Sequence, residues 1–94
     1  MKNVILIIDD EERMRAILEI AVSSWGYKVF TTDNAKNALE IVESENVDVI
    51  LTDVSMPEMT GEELLLRMKK KYPFIIVILM TAYGTIKSAV EAMK

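Results

Sequence analysis

Asp9, Asp10 and Asp53 are the residues of this chain whose type and spacing could do chemistry. Asp53 closes the apolar run Val49-Ile50-Leu51-Thr52 and is followed by Pro57, Gly61 and a helical pattern. An apolar run that stops on an acid reads as a buried strand delivering a carboxylate to a sheet edge, where ligands bind in open α/β folds. Asp9 and Asp10 stand at the end of a second such run, Val4 to Ile8, and open the acidic stretch Asp9-Asp10-Glu11-Glu12. A third run, Phe74 to Met80, delivers Thr81. Three carboxylates brought together repel one another unless a cation is present or their pKa values shift. A hard divalent ion with oxygen ligands, usually Mg2+, is the natural counter-charge, and it also neutralises a phosphate during phosphoryl transfer. Carboxylates form aspartyl-phosphates, so Asp53 is the candidate nucleophile and Thr81 a candidate hydrogen-bond donor to a phosphoryl oxygen. Each group also has a plainer reading. Asp53 could cap a turn, the acidic stretch could complement a helix dipole, and Thr81 could be an ordinary strand-end hydroxyl. Their recurrence at successive strand ends favours chemistry.

Composition narrows the chemistry further. The chain has 94 residues, enough for one domain spanning residues 1–94, and 51% of them are apolar. Its net charge of −4 argues against direct nucleic-acid binding, which needs clustered cations. The one basic cluster, Arg67, Lys69, Lys70 and Lys71, falls at the end of a predicted helix, where positive charge suits the dipole. It reads as a solvated helix end. With no Cys and no His, there is neither a disulfide framework nor a thiolate zinc site. Imidazole acid–base chemistry is also excluded, so carboxylates, hydroxyls and Lys must carry the reaction. No apolar run approaches the roughly 20 residues that span a bilayer. Met1-Lys2-Asn3 leads into a strand without the parts of a signal peptide, and a cytoplasmic location with no membrane partner is expected.

The elements that must position these residues follow from periodicity. Val4 to Ile8 is apolar on both faces, the mark of a parallel strand buried on both sides. Met14, Ile17, Leu18, Ala21, Val22 and Trp25 then form one helical stripe, with Gly26 as its stop. Tyr27 to Thr32 reads as a more polar edge strand. Asp33-Asn34 supplies an N-cap to a helix bearing Ala35, Ala38, Leu39 and Val42. Val47 to Leu51 is the third strand and leads to Asp53. Leu64, Leu65 and Met68 mark a third helix, ended by Pro73. Phe74 to Met80 is the fourth strand, and Gly84-Thr85 opens a fourth helix with Ile86, Ala89, Val90 and Met93 on one face. Strand–helix alternation of this kind implies an open parallel α/β sheet with helices on both faces. In the flavodoxin-like strand order 2-1-3-4, strands one and three are neighbours at the switch point, and the three aspartates converge.

Ile8-Asp9-Asp10-Glu11, then Asp53-Val54-Ser55-Met56-Pro57 with Gly61, then Met80-Thr81-Ala82 together resemble the receiver domain of two-component response regulators. The resemblance covers the whole chain. It implies a phosphoacceptor rather than an enzyme with turnover, with at most weak autodephosphorylation. Asp53 would accept a phosphoryl group from the phosphohistidine of a sensor histidine kinase. Asp10, Asp53 and the backbone carbonyl of Ser55 would hold Mg2+, while Asp9 helps to hold the metal and its waters. Thr81 would be the switch hydroxyl. The stretch from Thr81 to Lys94 is similar to receivers of nitrogen-regulator-type transcription activators, which implies ATPase and DNA-binding output domains in a full-length parent.

The family pattern also has a fifth strand, carrying a Lys and an aromatic switch residue, and a fifth helix. The chain ends inside the fourth helix, and Lys87 does not stand where the family Lys would. A truncated receiver is therefore expected, with strand 74–80 as a long apolar edge and a bare sheet face beside the 13–25 helix. Self-association follows, by pairing through strand 74–80 or by exchanging an element with a second copy. The alternative function is a chemically disabled receiver fragment that acts only as a self-associating module. A hydrolase of the haloacid-dehalogenase kind is disfavoured because Ser55 stands where its second Asp is needed. A flavodoxin is disfavoured because acidic residues occupy the place of a phosphate-cradling loop.

Overall fold

The computed structural model describes residues 3–54 and 59–80. In chain order they form β1 (Val4–Ile8), α1 (Glu12–Ser24), β2 (Lys28–Thr32), α2 (Ala35–Ser44), β3 (Val49–Asp53), α3 (Gly61–Lys71) and β4 (Ile76–Met80). The four strands make one parallel sheet in the order β2-β1-β3-β4. β2 is at one edge, as its polarity predicts, and β1 sits inside the sheet. The fourth helix of the sequence reading lies outside the described residues. Among those residues, no helix is long and apolar enough to cross a membrane.

The unbroken apolar character of β1 has a direct cause. Successive side chains alternate between faces. Leu6 and Ile8 enter a core with Ala38 and Val42 of α2, Ile50 of β3, and Leu64 and Met68 of α3. Ile5 and Ile7 point the other way, into a smaller core closed by Val22 and Leu18 of α1. Helices therefore cover both faces, with α1 on one and α2 and α3 on the other.

Local chemistry sets the helix ends. Asn34 caps α2 by accepting from the Asn37 N–H (2.7 Å), and Thr60 caps α3 by accepting from the Glu63 N–H (3.1 Å). Gly26, after α1, has φ +92°, a left-handed conformation that a Cβ disfavours. α3 stops at Lys71, with Tyr72 leading into Pro73, because a residue before proline is pushed out of the helical region.

Three expectations change. The α1 stripe is only partly interior: Val22 is buried, but Ile17 is 55% exposed and Trp25 71%. Trp25 falls at the C-cap, and α1 packs chiefly on β1 and β2. The third strand starts at Val49 instead of Val47, because the Asp48 side chain first ties the loop to β1 by accepting from the N–H groups of Asn3 and Val4 (3.0 Å each). The fourth strand starts at Ile76. Phe74 is 87% exposed, in a turn where the Ile75 N–H donates to the Tyr72 carbonyl (3.1 Å).

Candidate functional site

The parallel β1–β3 ladder aligns Ile8 with Thr52, so the residues that follow, Asp9 and Asp53, emerge side by side at the carboxyl edge. One carboxylate oxygen from each of Asp9, Asp10 and Asp53 lies within 4.8 Å of the others. Asp9 is buried, Asp53 half-buried and Asp10 exposed, which grades the cluster from core to solvent. Carboxylates this close repel by about 1–3 kcal/mol per pair for dielectrics between bulk water and a protein surface.

Asp9 is the buried member of the cluster. Its carboxyl titrates above the ordinary aspartate value of 3.8, chiefly because burial disfavours the charge. The neighbouring charges of Asp53, Asp10 and Glu11 push the same way, against a hydrogen bond from the Glu11 backbone. In that bond Asp9 Oδ1 accepts from the Glu11 N–H (2.9 Å), an Asx-turn that starts α1. The plainer reading of the acidic stretch is thus also realised: Asp9 opens the helix and lines the cluster at once.

Two further features hold the edge. Arg15 on α1 reaches back, and its Nη1 donates to the Asp9 carbonyl (2.7 Å). Its place one turn after Glu11 was the available signal, but nothing in the spacing shows that its head folds toward Asp9. At β3 the Val54 N–H donates to the Met80 carbonyl (3.0 Å) and the Gly61 N–H to the Val54 carbonyl (2.7 Å), binding the start of α3 to the residue after Asp53. Thr32, at the end of β2, is buried and accepts from Asn37 Nδ2 (2.9 Å), so its hydroxyl serves α2. Ser55 and Thr81, named from the sequence, lie outside the described residues.

The chemistry of this donor set, three carboxylates of graded exposure, fits a hard divalent cation. The charge state of Asp9 then has a measurable consequence. Because its carboxyl titrates high in the folded state, the protonated form is favoured on folding. Its contribution is fully present below about pH 3.8 and is lost as pH rises through the raised value. At neutral pH the ionised group is a cost. Asp9→Asn keeps an oxygen for the Glu11 N–H and removes the charge. Without divalent cation it should raise Tm by a few degrees at pH 7 and give little gain near pH 3. Thermal unfolding by circular dichroism in EDTA checks this; an equal gain at both values would show that charge is not the cause.

The four-stranded parallel sheet in the order β2-β1-β3-β4, with acids converging at its carboxyl edge, is a flavodoxin-like architecture. The chain belongs to the response regulator receiver domain family, whose model matches residues 5–94. It is 41% identical over 90 residues to the transcriptional regulatory protein ZraR of Klebsiella oxytoca, covering 96% of this chain and 20% of ZraR. It is 35% identical over 91 residues to the DNA-binding transcriptional regulator NtrC of Escherichia coli K12, covering 97% of this chain and 19% of NtrC. The chain thus spans about a fifth of the length of these curated relatives. Among solved structures it resembles the response regulator TrrA of Thermotoga maritima in complex with Mg2+–BeF, with TM-score 0.86 and 32% identity over 98% of this chain and 82% of that one. A complex of the histidine kinase ThkA with TrrA matches with TM-score 0.87 and 32% identity, covering 98% and 81%. A beryllofluoride-activated NtrC4 receiver domain dimer matches with TM-score 0.85 and 30% identity, covering 98% and 75%.

Proposed function

We propose that this receiver is a cytoplasmic phosphoacceptor, with Asp53 taking a phosphoryl group from the phosphohistidine of a sensor histidine kinase. The observation that carries the proposal is the convergence of Asp9, Asp10 and Asp53 within 4.8 Å at the sheet's carboxyl edge. An Asp53 carboxylate oxygen forms a bond to phosphorus as the phosphorus–nitrogen bond breaks, and the departing imidazole nitrogen keeps the electron pair. Asp10, Asp53 and the Ser55 carbonyl would hold Mg2+, with Asp9 steadying the ion and its waters. The bound ion supplies neutralisation of the phosphoryl oxygens. Thr81 would act as the switch hydroxyl. The chain is a substrate of the kinase, with at most weak autodephosphorylation.

Several comparisons support parts of this reading. The matched TrrA structure contains Mg2+–BeF, and another pairs that regulator with a histidine kinase. Relatives described as transcriptional regulators support a transcription-activator output, for which we propose ATPase and DNA-binding domains. The assembled acid cluster favours this reading over a chemically disabled fragment.

The test is intact mass after incubation with acetyl phosphate and Mg2+. One added phosphoryl group, absent in EDTA, is the expected result. No adduct on a chain shown to be folded overturns the proposal.

We also propose self-association through the half of the sheet that α1 leaves thinly covered. Val77 and Leu79 of β4 face the α2–α3 core, so Ile76, Ile78 and Met80 alternate onto the α1 side. There Ile76 is exposed, and on α1 Met14 and Ile17 are exposed as well. The NtrC4 receiver match is a dimer. Sedimentation at micromolar concentration should show a dimer or larger species, with Ile76→Lys shifted toward monomer; a monomeric wild-type chain sinks the idea.

A further inference from the structure

We infer that the cleft between α2 and α3 docks an acidic, amphipathic peptide segment of a partner protein. The cleft has a volume of about 410 Å³ and is lined by Leu39, Glu43, Arg67, Lys70, Lys71 and Tyr72. Both helices start at the carboxyl edge of the sheet and end at the opposite one. Glu43 and the run from Arg67 to Lys71 occupy their final turns, so the cleft lies at the far end of the molecule from the aspartate cluster.

The basic run divides into two parts. Lys69 turns away, and its Nζ donates to the Ile75 carbonyl (3.5 Å), in the loop that enters β4. Arg67, Lys70 and Lys71 stand three and four residues apart, on one face, and all three line the cleft. Like charges at this spacing destabilise a helix. A helix end that merely complements its dipole has no need to gather them on one side. Among the described residues only Glu43 brings a carboxylate to the cleft. It is held by Lys71 at 3.0 Å in a pair exposed on both sides, which is worth little. The excess charge is positive, on a chain whose net charge is −4, so bulk charge does not explain it.

Between the cations the walls are apolar. Leu39 and Tyr72 are half-buried, and the Lys71 Nζ sits 5.5 Å from the centre of the Tyr72 ring. The stems of Lys and Arg add apolar surface beneath their charged heads. Carboxylates spaced along a peptide can meet Arg67 and Lys70 while an apolar side chain between them covers Leu39 and Tyr72. A small anion would gain less, because among the described residues no buried polar group lines the cleft to orient it.

The probe is a fluorescein-labelled peptide with Glu or Asp on one helical face and Leu on the other, titrated into the full chain by fluorescence anisotropy. Saturable binding is expected, weakened at least about tenfold in Arg67→Glu/Lys70→Glu. Lys28→Glu, a charge reversal on the edge strand outside the cleft, should change affinity by less than about twofold. Amide shift perturbations should map to α2 and α3. Because the substituted side chains are exposed, circular dichroism should show all variants folded. No binding, equal loss in all variants, or perturbations elsewhere would overturn the inference. So would tighter, cleft-dependent binding of a single-stranded oligonucleotide, which would mark a phosphate-backbone site instead.

Discussion

With asparagine in place of Asp53, the phosphoryl adduct formed from acetyl phosphate and Mg2+ should fall at least roughly a hundredfold, to the background of intact-mass detection. An amide lacks the anionic oxygen that attacks phosphorus, and a neighbouring carboxylate cannot substitute without changing its own geometry. Asp53 is the last residue of β3, paired in register with Met80, and half-buried between the buried Asp9 and the exposed Asp10. The variant also removes one of three mutually repelling charges, so in EDTA it should be at least as stable as the wild-type chain. Loss of the adduct would then reflect chemistry rather than unfolding. Mg2+ affinity should drop in parallel, since one of three convergent anionic donors is gone. Undiminished labelling of the Asn variant would move the acceptor role to Asp10 or another acid.

The second large effect is expected from Gly61→Ala. Helix propensity alone predicts a gain of up to about 1 kcal/mol, since Ala is favoured over Gly inside a helix. Space decides otherwise. A Cβ on Gly61 would lie inside 3 Å of the Asp53 carbonyl oxygen, 2.9 Å from Leu79 Cδ2 and 3.1 Å from Val54 Cα. Two of those neighbours are backbone atoms at the end of β3, held by the β3–β4 ladder and by the bond from the Gly61 N–H to the Val54 carbonyl (2.7 Å). They cannot yield as the tip of a flexible side chain would. Overpacking of this kind costs about 1–3 kcal/mol, so the net effect is a loss of about 1–2 kcal/mol and a Tm lower by roughly 4–15 °C. Displacement of the strand end carries Asp53 with it, so adduct formation should slow as well. A variant as stable as wild type would show that α3 can retreat from β3 without penalty.

How much was legible in advance varies along the chain. β1 is readable because a strand buried on both faces must be apolar at every position, and Val4 to Ile8 are. The caps at Asn34 and Thr60 act within three residues of themselves, so local sequence is enough for the first of these. The α1 stripe was legible as a stripe and misleading as a core. A period of 3.6 shows that Met14, Ile17 and Trp25 share a face or its margin, but not what lies opposite. In the fold only Val22 of that stripe is fully buried. Phe74 misled for a similar reason. Its hydrophobicity suggests a strand, yet the turn from Tyr72 to Ile75 holds it in solvent.

Local sequence sets the elements, their alternation and the delivery of acids to the ends of two apolar strands. Those properties depend on neighbours a few residues away. That Asp9 and Asp10 meet Asp53 was expected from the strand order 2-1-3-4, and the fold fixes how closely they approach. The distance between groups so far apart in the chain is set by the β1–β3 ladder, and a one-residue slip would turn the side chains to the opposite face. Only the fold decided which acid is buried and which exposed, that Arg15 reaches back to the Asp9 carbonyl, and that Gly61 is required for space. The same holds for the gathering of Arg67, Lys70 and Lys71 beside Leu39 of another helix. Each of these is a contact between segments distant in sequence, fixed by ladder register and close packing, and no local pattern encodes it.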